Sequence, residues 1–241
     1  MKTLYQKIIK PLLFIFDPEK VHYFVFGALK KLPLIPGVAK LLRTSYRINH
    51  TALERKVFGL TFPNPVGMAA GFDKDAKLYQ ELSNFGFGFI EIGTLTPKSQ
   101  GGNPKKRLFR LSEDEGLINR MGFNNDGLNV FVSNIKKSKW VKEKKGIIGI
   151  NLGMNFDTKL DNAYMDYEIG MEATYQYADY IVVNVSSPNT KDLRKLQESF
   201  MLEKLLSSIK KKQEYLFKKY LLRKPIFIKL SPDINSEYFA N

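Results

Sequence analysis

The sequence contains no cysteine, one tryptophan and only two histidines, His22 and His50, in 241 residues. The missing cysteine removes disulfides, thiolate metal ligands and a thiol nucleophile or base in one step. Two histidines cannot furnish a histidine-rich metal centre and disfavour a Ser-His-Asp triad, so no metal site is expected. Long apolar runs are missing too. Nothing approaches the roughly 18 uncharged residues that span a bilayer, and residues 21–29 are among the longest such runs. The first ten residues lack the apolar core and cleavage site of a secretory signal, and the Arg and Ser of a transit peptide, and they read as mature structure. No GxGxxG or phosphate-loop spacing occurs, since Gly86-Phe-Gly88 precedes a strand and not a helix; a nicotinamide Rossmann enzyme is disfavoured.

What is present is an apolar content of 44% and a net charge of +14, enough to build a large core with a strongly basic surface. The charge is uneven. Residues 1–50 hold nine Lys or Arg against Asp17 and Glu19, a net +7. These cations are interleaved with large aliphatic and aromatic side chains, which suits an anionic lipid surface better than a nucleic acid.

Leu4, Ile8, Leu12 and Ile15 give one helical face, interrupted or started by Pro11. Asp17-Pro18-Glu19 reads as an N-cap, a first-turn proline and an acidic first turn. The helix that follows runs to about Leu32 with a stripe of Val21, Phe24, Val25, Ala28 and Leu29, and His22, Tyr23 and Phe26 beside it. Pro33 and Pro36-Gly37 close this helical pair, and residues 38–56 read as a connector. From Phe58 the pattern changes to a hairpin-like entry and a small-residue strand, Val66-Gly-Met-Ala-Ala70. Helices over residues 76–84, 129–137, 166–177 and 202–222 then alternate with strands over 87–93, 146–151, 180–185 and 225–230, which predicts a parallel sheet. The strand ends carry Lys74, Thr94, Asn151, Asn184 and Lys229, all directed to one face. Residues 96–125 form a long connection, of a length that is usually functional.

The candidate site is rich in amides and poor in carboxylates: Asn119, Asn151, Asn184 and Asn189, with Lys74 and Lys229. An amide is donor and acceptor at once, so the set suits a planar ring with alternating carbonyl and N–H groups, such as a pyrimidine or a flavin. It suits phosphoryl transfer or glycoside hydrolysis poorly.

Six motifs occur in order: Ala69-Ala-Gly-Phe-Asp-Lys74, Ile90-Glu-Ile-Gly-Thr94, Gly101-Gly-Asn-Pro104 with Arg107-Leu-Phe-Arg110, Ile118-Asn-Arg-Met-Gly-Phe-Asn-Asn125, Gly149-Ile-Asn-Leu-Gly153 and Asn184-Val-Ser-Ser-Pro-Asn-Thr190. Together they resemble dihydroorotate dehydrogenase of the quinone-dependent class, along the whole chain. The resemblance implies an α/β fold, a parallel β/α (TIM-type) barrel holding FMN, preceded by a small N-terminal helical pair. It implies oxidation of dihydroorotate to orotate in pyrimidine biosynthesis with a quinone as acceptor, at the cytoplasmic face of a bacterial inner membrane. By resemblance Ser187 is the base, and Phe123 and Thr190 shape and shield its proton path. Lys74, Asn119, Arg120, Met121, Gly122, Phe123, Asn184 and Asn189 are substrate positions. Ala70, Gly71, Phe72, Asp73, Lys74, Thr94, Asn151, Asn184 and Lys229 are FMN positions, and His22 and Arg110 are quinone-site candidates.

Residues 1–45 are thus expected to form a membrane and quinone-tunnel domain and 46–241 an FMN barrel. Lys229-Leu-Ser-Pro-Asp233 resembles the fifth barrel strand and its turn, so the barrel is expected to be incomplete at the C-terminus. The strands that build the usual phosphate site are then missing. The alternative reading is accordingly an inactive truncated fragment, acting at most as a membrane-surface-binding module.

Overall fold

The computed structural model describes residues 4–233, and the expected domain limits at residues 1 and 241 lie outside that range. A π-helical turn at Tyr5–Ile9 leads into helix α1 (Lys10–Phe14), where Pro11 sits in the first turn and its missing N–H costs nothing. Asp17 caps helix α2 (Pro18–Lys31) as its sequence predicts. Its Oδ1 accepts the N–H groups of Glu19 at 3.0 Å and Lys20 at 3.1 Å, a cap worth about 1 kcal/mol. The buried face of α2 differs from the expected stripe: Phe24 is 68% exposed, while Phe26 and Leu29 pack against the barrel core. His22 belongs to that inner stripe, at i, i+4 and i+7 with Phe26 and Leu29, and its ring meets Phe72 edge-on at 5.1 Å. Of the expected stripe Leu29 does face inward, and Phe26, expected beside it, joins it there. Residues 38–56, read as a connector, instead contain helix α3 (Val38–Tyr46), entered through left-handed Gly37 and anchored by Arg43 Nη1 donating to Asn84 Oδ1 at 2.7 Å. No side-chain cap marks its start, which is why the pattern was silent there.

Strands β1 (Arg55–Val57) and β2 (Leu60–Phe62) form the expected antiparallel entry. The main sheet follows, with β3 (Gly67–Met68), β4 (Phe89–Leu95), β7 (Ile147–Leu152), β8 (Tyr180–Asn184) and β9 (Ile226–Lys229) all parallel and side by side in chain order. Each strand adds on the same side of the last, with no reversal of order. That succession is the winding of a β/α barrel, not of a doubly wound sheet. Helices α4 (Tyr79–Leu82), α5 (Leu128–Lys137), α6 (Lys139–Lys142), α7 (Ala163–Thr174) and α8 (Ser199–Tyr220) fall between the strands. The helix expected over residues 76–84 is shorter, because the Asp73 carboxylate holds the preceding loop in a non-helical turn.

The core lies between sheet and helices. Ile90, Ile92, Ile148, Ile150, Ile181 and Val183 alternate toward the helix side and are buried against Phe131, Ile135, Tyr167, Met171, Leu205 and Ile209. Each such fully buried side chain contributes about 1.5–3 kcal/mol. The opposite face carries Glu91, Asn151, Asn184 and Lys229, so one alternation fixes both the core and the polar interior.

The connection expected over residues 96–125 is not irregular throughout: β5 (Leu108–Leu111) and β6 (Gly116–Asn119) pair as an antiparallel ribbon. Its base is closed by reciprocal backbone hydrogen bonds of 3.0 Å between Gln100 and Asn125. Among the described residues no helix is long and apolar enough to cross a membrane.

Candidate active site

The ends of β3, β4, β8 and β9 and the β5–β6 ribbon enclose a cavity of about 470 Å³. From the strand ends it is lined by Ala70, Gly71, Phe72, Lys74, Thr94, Asn184 and Lys229. Asn119, Met121, Gly122 and Phe123 line it from the ribbon side, and Ser187 and Asn189 from the loop after β8. His22 and Glu19 reach it from α2. Most of the expected site residues therefore share one cavity.

Its floor is a ladder of amides. Asn151 Nδ2 donates to Glu91 Oε1 at 2.7 Å, while Asn151 Oδ1 accepts from Thr94 Oγ1 at 2.7 Å and from Asn184 Nδ2 at 3.1 Å. Asn184 Oδ1 in turn accepts Ser186 Oγ at 2.9 Å and Ser186 N at 3.1 Å. A carboxylate only accepts, so Glu91 dictates which way Asn151 faces, and every donor after it follows. The Tyr180 hydroxyl is pushed well above its ordinary pKa by its own burial first and then by the charge of Glu91. Asn151 is fully buried below the cavity and does not line it.

The loop after β3 is pinned from beneath. Asp73 accepts three backbone N–H groups, from Lys77 at 2.8 Å, Leu78 at 2.7 Å and Tyr79 at 2.8 Å. Burial raises its pKa, opposed by those donors. Its carboxylate is thus spent on shaping the loop and does not face the cavity. Gly71 adopts φ +113°, and a Cβ there would meet nothing within 4 Å. With Ala70 beside it, this leaves bare backbone against open space, the surface a flat ring can approach.

Lys74 donates to Asn124 Oδ1. Burial, then the charge of Arg107, bring its pKa down to about 8, against the pull of Asp75 and Glu19. His22 is likewise lowered by burial and then by Lys74. A cavity that disfavours its own cations is ready for an anionic ligand.

Ser187 Oγ accepts the N–H of Asn189 at 3.2 Å, and Asn189 Nδ2 donates to Asn119 Oδ1 at 3.2 Å, tying the loop after β8 to the ribbon. Thr190 is buried behind them, and among the described residues its hydroxyl has no hydrogen-bond partner. Phe123 holds φ +51° after Gly122 at φ +72°, and a Cβ on Gly153 would lie 2.9 Å from its ring. That close approach explains the glycine.

Five expected residues do not line the cavity: Asp73 and Asn151, described above, and Arg120, Arg110 and Thr190. Arg120 is exposed, with its guanidinium on the Lys106 carbonyl at 2.8 and 3.1 Å. Arg110 lines a separate groove of about 700 Å³ between α2 and the ribbon, capping the carbonyls of Phe14 at 3.3 Å and Phe16 at 2.7 Å and lying over the Phe14 ring at 4.4 Å. His22 and Arg110 therefore do not share a cavity. Thr190 sits behind the wall. Sequence reasoning missed Glu91, Asn124, Asn103 and the Glu19–Arg107 pair; only Glu91, in a strand at an inward alternation position, carried a readable signal.

The family model described as dihydroorotate dehydrogenase matches residues 52–240. The chain is 51% identical over 234 residues to a dihydroorotate dehydrogenase (quinone) of Christiangramia forsetii, covering 97% of this chain and 66% of the relative. It is 48% identical to that of Buchnera aphidicola subsp. Schizaphis graminum, covering 97% and 67%. The fold is similar to the crystal structure of DHODH from Eimeria tenella in complex with ferulenol, with a TM-score of 0.80 at 37% identity over 92% of this chain and 61% of that one. The chain thus spans about two thirds of the length of the curated relatives it matches.

Proposed function

The chain belongs to the dihydroorotate dehydrogenase family, and from that premise we propose that the protein oxidises dihydroorotate to orotate in the cavity above β3, β4, β8 and β9, with FMN as cofactor and a quinone as final acceptor. The observation that carries the reading is the convergence of Lys74, Asn119, Asn189 and Ser187 on one cavity whose floor is an amide ladder. The residues fit an FMN ring: Ala70 and Gly71 offer open backbone, Lys229 offers a donor at its edge, and Thr94 lines the cavity with its hydroxyl held by Asn151. When bound, FMN supplies a two-electron acceptor beside the substrate.

The protein's own residues then have separable tasks. Lys74 holds the substrate carboxylate, and Asn119 and Asn189 read the ring amides. Ser187 Oγ takes the proton from the ring carbon next to the one that loses hydride. The Asn189 N–H at 3.2 Å stabilises negative charge on that oxygen. Serine is a poor base alone, so its own proton must move on, and the buried Thr190 hydroxyl would relay it, releasing its own proton outward as it takes the one from Ser187. Phe123, locked over Gly153, keeps bulk water from this path.

Residues 1–45 are proposed to dock on an anionic membrane surface, with the protein peripheral at the cytoplasmic face of the inner membrane. Ile8, Leu12, Ile15, Phe16, Phe24 and Leu34 are all more than half exposed on these helices, a patch too apolar for water alone and flanked by the +7 charge. His22, on the inner face of α2, and Arg110, on β5 with its guanidinium against the end of α1, flank the route proposed for the quinone.

The test is anaerobic. Protein loaded with FMN and mixed with dihydroorotate should lose flavin absorbance, and a short-chain quinone should restore it. Persistent absorbance with dihydroorotate bound would refute the reading.

A further inference from the structure

Arg107 is 5% exposed and so is its partner Glu19, although the two belong to different parts of the fold. Arg107 Nε and Nη2 meet the two Glu19 oxygens at 3.2 and 2.7 Å, a bidentate pair between the ribbon loop and helix α2. The third nitrogen is also engaged: Nη1 donates to the carbonyls of Gly101 at 2.6 Å and Asn103 at 2.9 Å. Asn103 continues the line, because its Nδ2 donates to the Asn189 carbonyl at 3.0 Å. Asn189 holds Ser187 Oγ through its N–H and Asn119 through its amide. An unbroken set of direct hydrogen bonds therefore runs from the outer helical pair to the loop that bears Ser187.

The pair is buried, with Lys105 Nζ a further 3.7 Å from Glu19 Oε1, so loss of Glu19 leaves the Arg107 charge desolvated and without its carboxylate. The Arg107 fork is rigid, so a shift of Glu19 must be passed to Gly101 and Asn103 or break a bond. Gly102 adds stiffness: its would-be Cβ lies 2.2 Å from the Met121 carbonyl and 2.9 Å from Arg107 Nη1, so the loop is pressed directly onto both.

We propose that Arg107 is a positioning residue that couples the seating of helix α2 to the order of the Asn119–Asn189 substrate loop, so that a ligand in the cavity is held more tightly when α2 is docked. This rests on the substrate reading above. Its consequence is that the helical pair reports on the substrate site, and the two half-reactions are energetically linked even though their ligands bind in different places. Linkage is reciprocal: a ligand at Asn119 and Asn189 must stabilise the docked α2 by the same factor.

The experiment measures amide hydrogen exchange in residues 18–31 of the whole protein, with and without saturating orotate. Exchange should slow on binding, by about 5- to 150-fold for a coupling of ordinary size. Asn103→Ala, which removes the link without touching either end, should abolish that slowing and weaken orotate binding by the same factor, with α2 still helical. Arg107→Lys keeps the charge but loses the fork and should do likewise; Glu19→Gln serves if it fails to fold. Slowing that persists undiminished in Asn103→Ala, or orotate binding with no change in α2, overturns the coupling while leaving the substrate reading intact. Failure of orotate to bind the parent protein at all would overturn both.

Discussion

Replacing Lys74 by methionine removes a cation that the fold holds at a cost. Its pKa of about 8 in the folded protein compares with 10.5 for the free side chain, so between those values the unfolded chain binds more protons and stability rises with pH. The penalty is fully present below pH 8 and fades toward pH 10.5. At pH 7 it amounts to about 3 kcal/mol, and at pH 10 to less than about 1 kcal/mol. Lys74→Met also forfeits the hydrogen bond to Asn124, worth about 1–2 kcal/mol. The variant should therefore be more stable than the parent at pH 7, by about 1–2 kcal/mol, and the advantage should vanish or reverse at pH 10. Urea denaturation at both pH values measures this directly.

The same lysine should make ligand affinity pH-dependent in the opposite sense. An anion bound to Lys74 needs the charged form, so its affinity should fall about tenfold between pH 7 and pH 9 as the free side chain loses its proton. Titrating orotate into parent and Lys74→Met at each pH isolates this effect, since ionisation of the ligand itself appears in both. A parent whose affinity advantage over the variant is constant from pH 7 to pH 9, together with a stability difference that ignores pH, would refute the argument that burial has detuned Lys74.

Ser187→Ala should slow flavin reduction by dihydroorotate about 10²- to 10⁴-fold with little change in orotate affinity, while Ser186→Ala, whose hydroxyl only serves Asn184, should be far milder; equal losses in stopped-flow traces would displace the base from Ser187. Deleting residues 1–37 should abolish vesicle binding and quinone reduction, while flavin reduction persists at the weaker dihydroorotate affinity that loss of the Glu19–Arg107 link brings; complete loss of both half-reactions in a folded protein at saturating dihydroorotate would contradict that division. Glu91→Leu removes the acceptor that orients the ladder, so Asn151 Nδ2 loses its partner in a buried site. A loss of about 1–3 kcal/mol in stability and weaker FMN binding are expected, and an unperturbed variant would show that Glu91 does not orient the ladder.

How much of this was legible depended on whether the information was local. The parallel sheet was readable because Ile148, Ile150, Ile181 and Val183 impose a buried, β-branched run at each strand, and tertiary structure had nothing to override. The strand-end positions that line the cavity were readable for the same reason, since Thr94, Asn184 and Lys229 keep their face whatever the loops do, whereas Lys74 and Ser187 lie in loops, and Ser187 was singled out by the motif resemblance. Helix α3 and the β5–β6 ribbon were not, because Val38–Tyr46 has no capping side chain and Leu108–Leu111 is held in place by its partner strand and the Gln100–Asn125 closure. The residues with the largest consequences were the least readable. Glu19 and Arg107 stand 88 positions apart and look like an ordinary first-turn acid and an ordinary loop cation, each stabilised on its own by solvent. Only their joint burial turns them into a connection, since two charges removed from water must satisfy each other or unfold the contact. A motif can therefore reveal which residues touch a ligand, while the bonds that hold those residues in register come from pairs whose members carry no sign of one another.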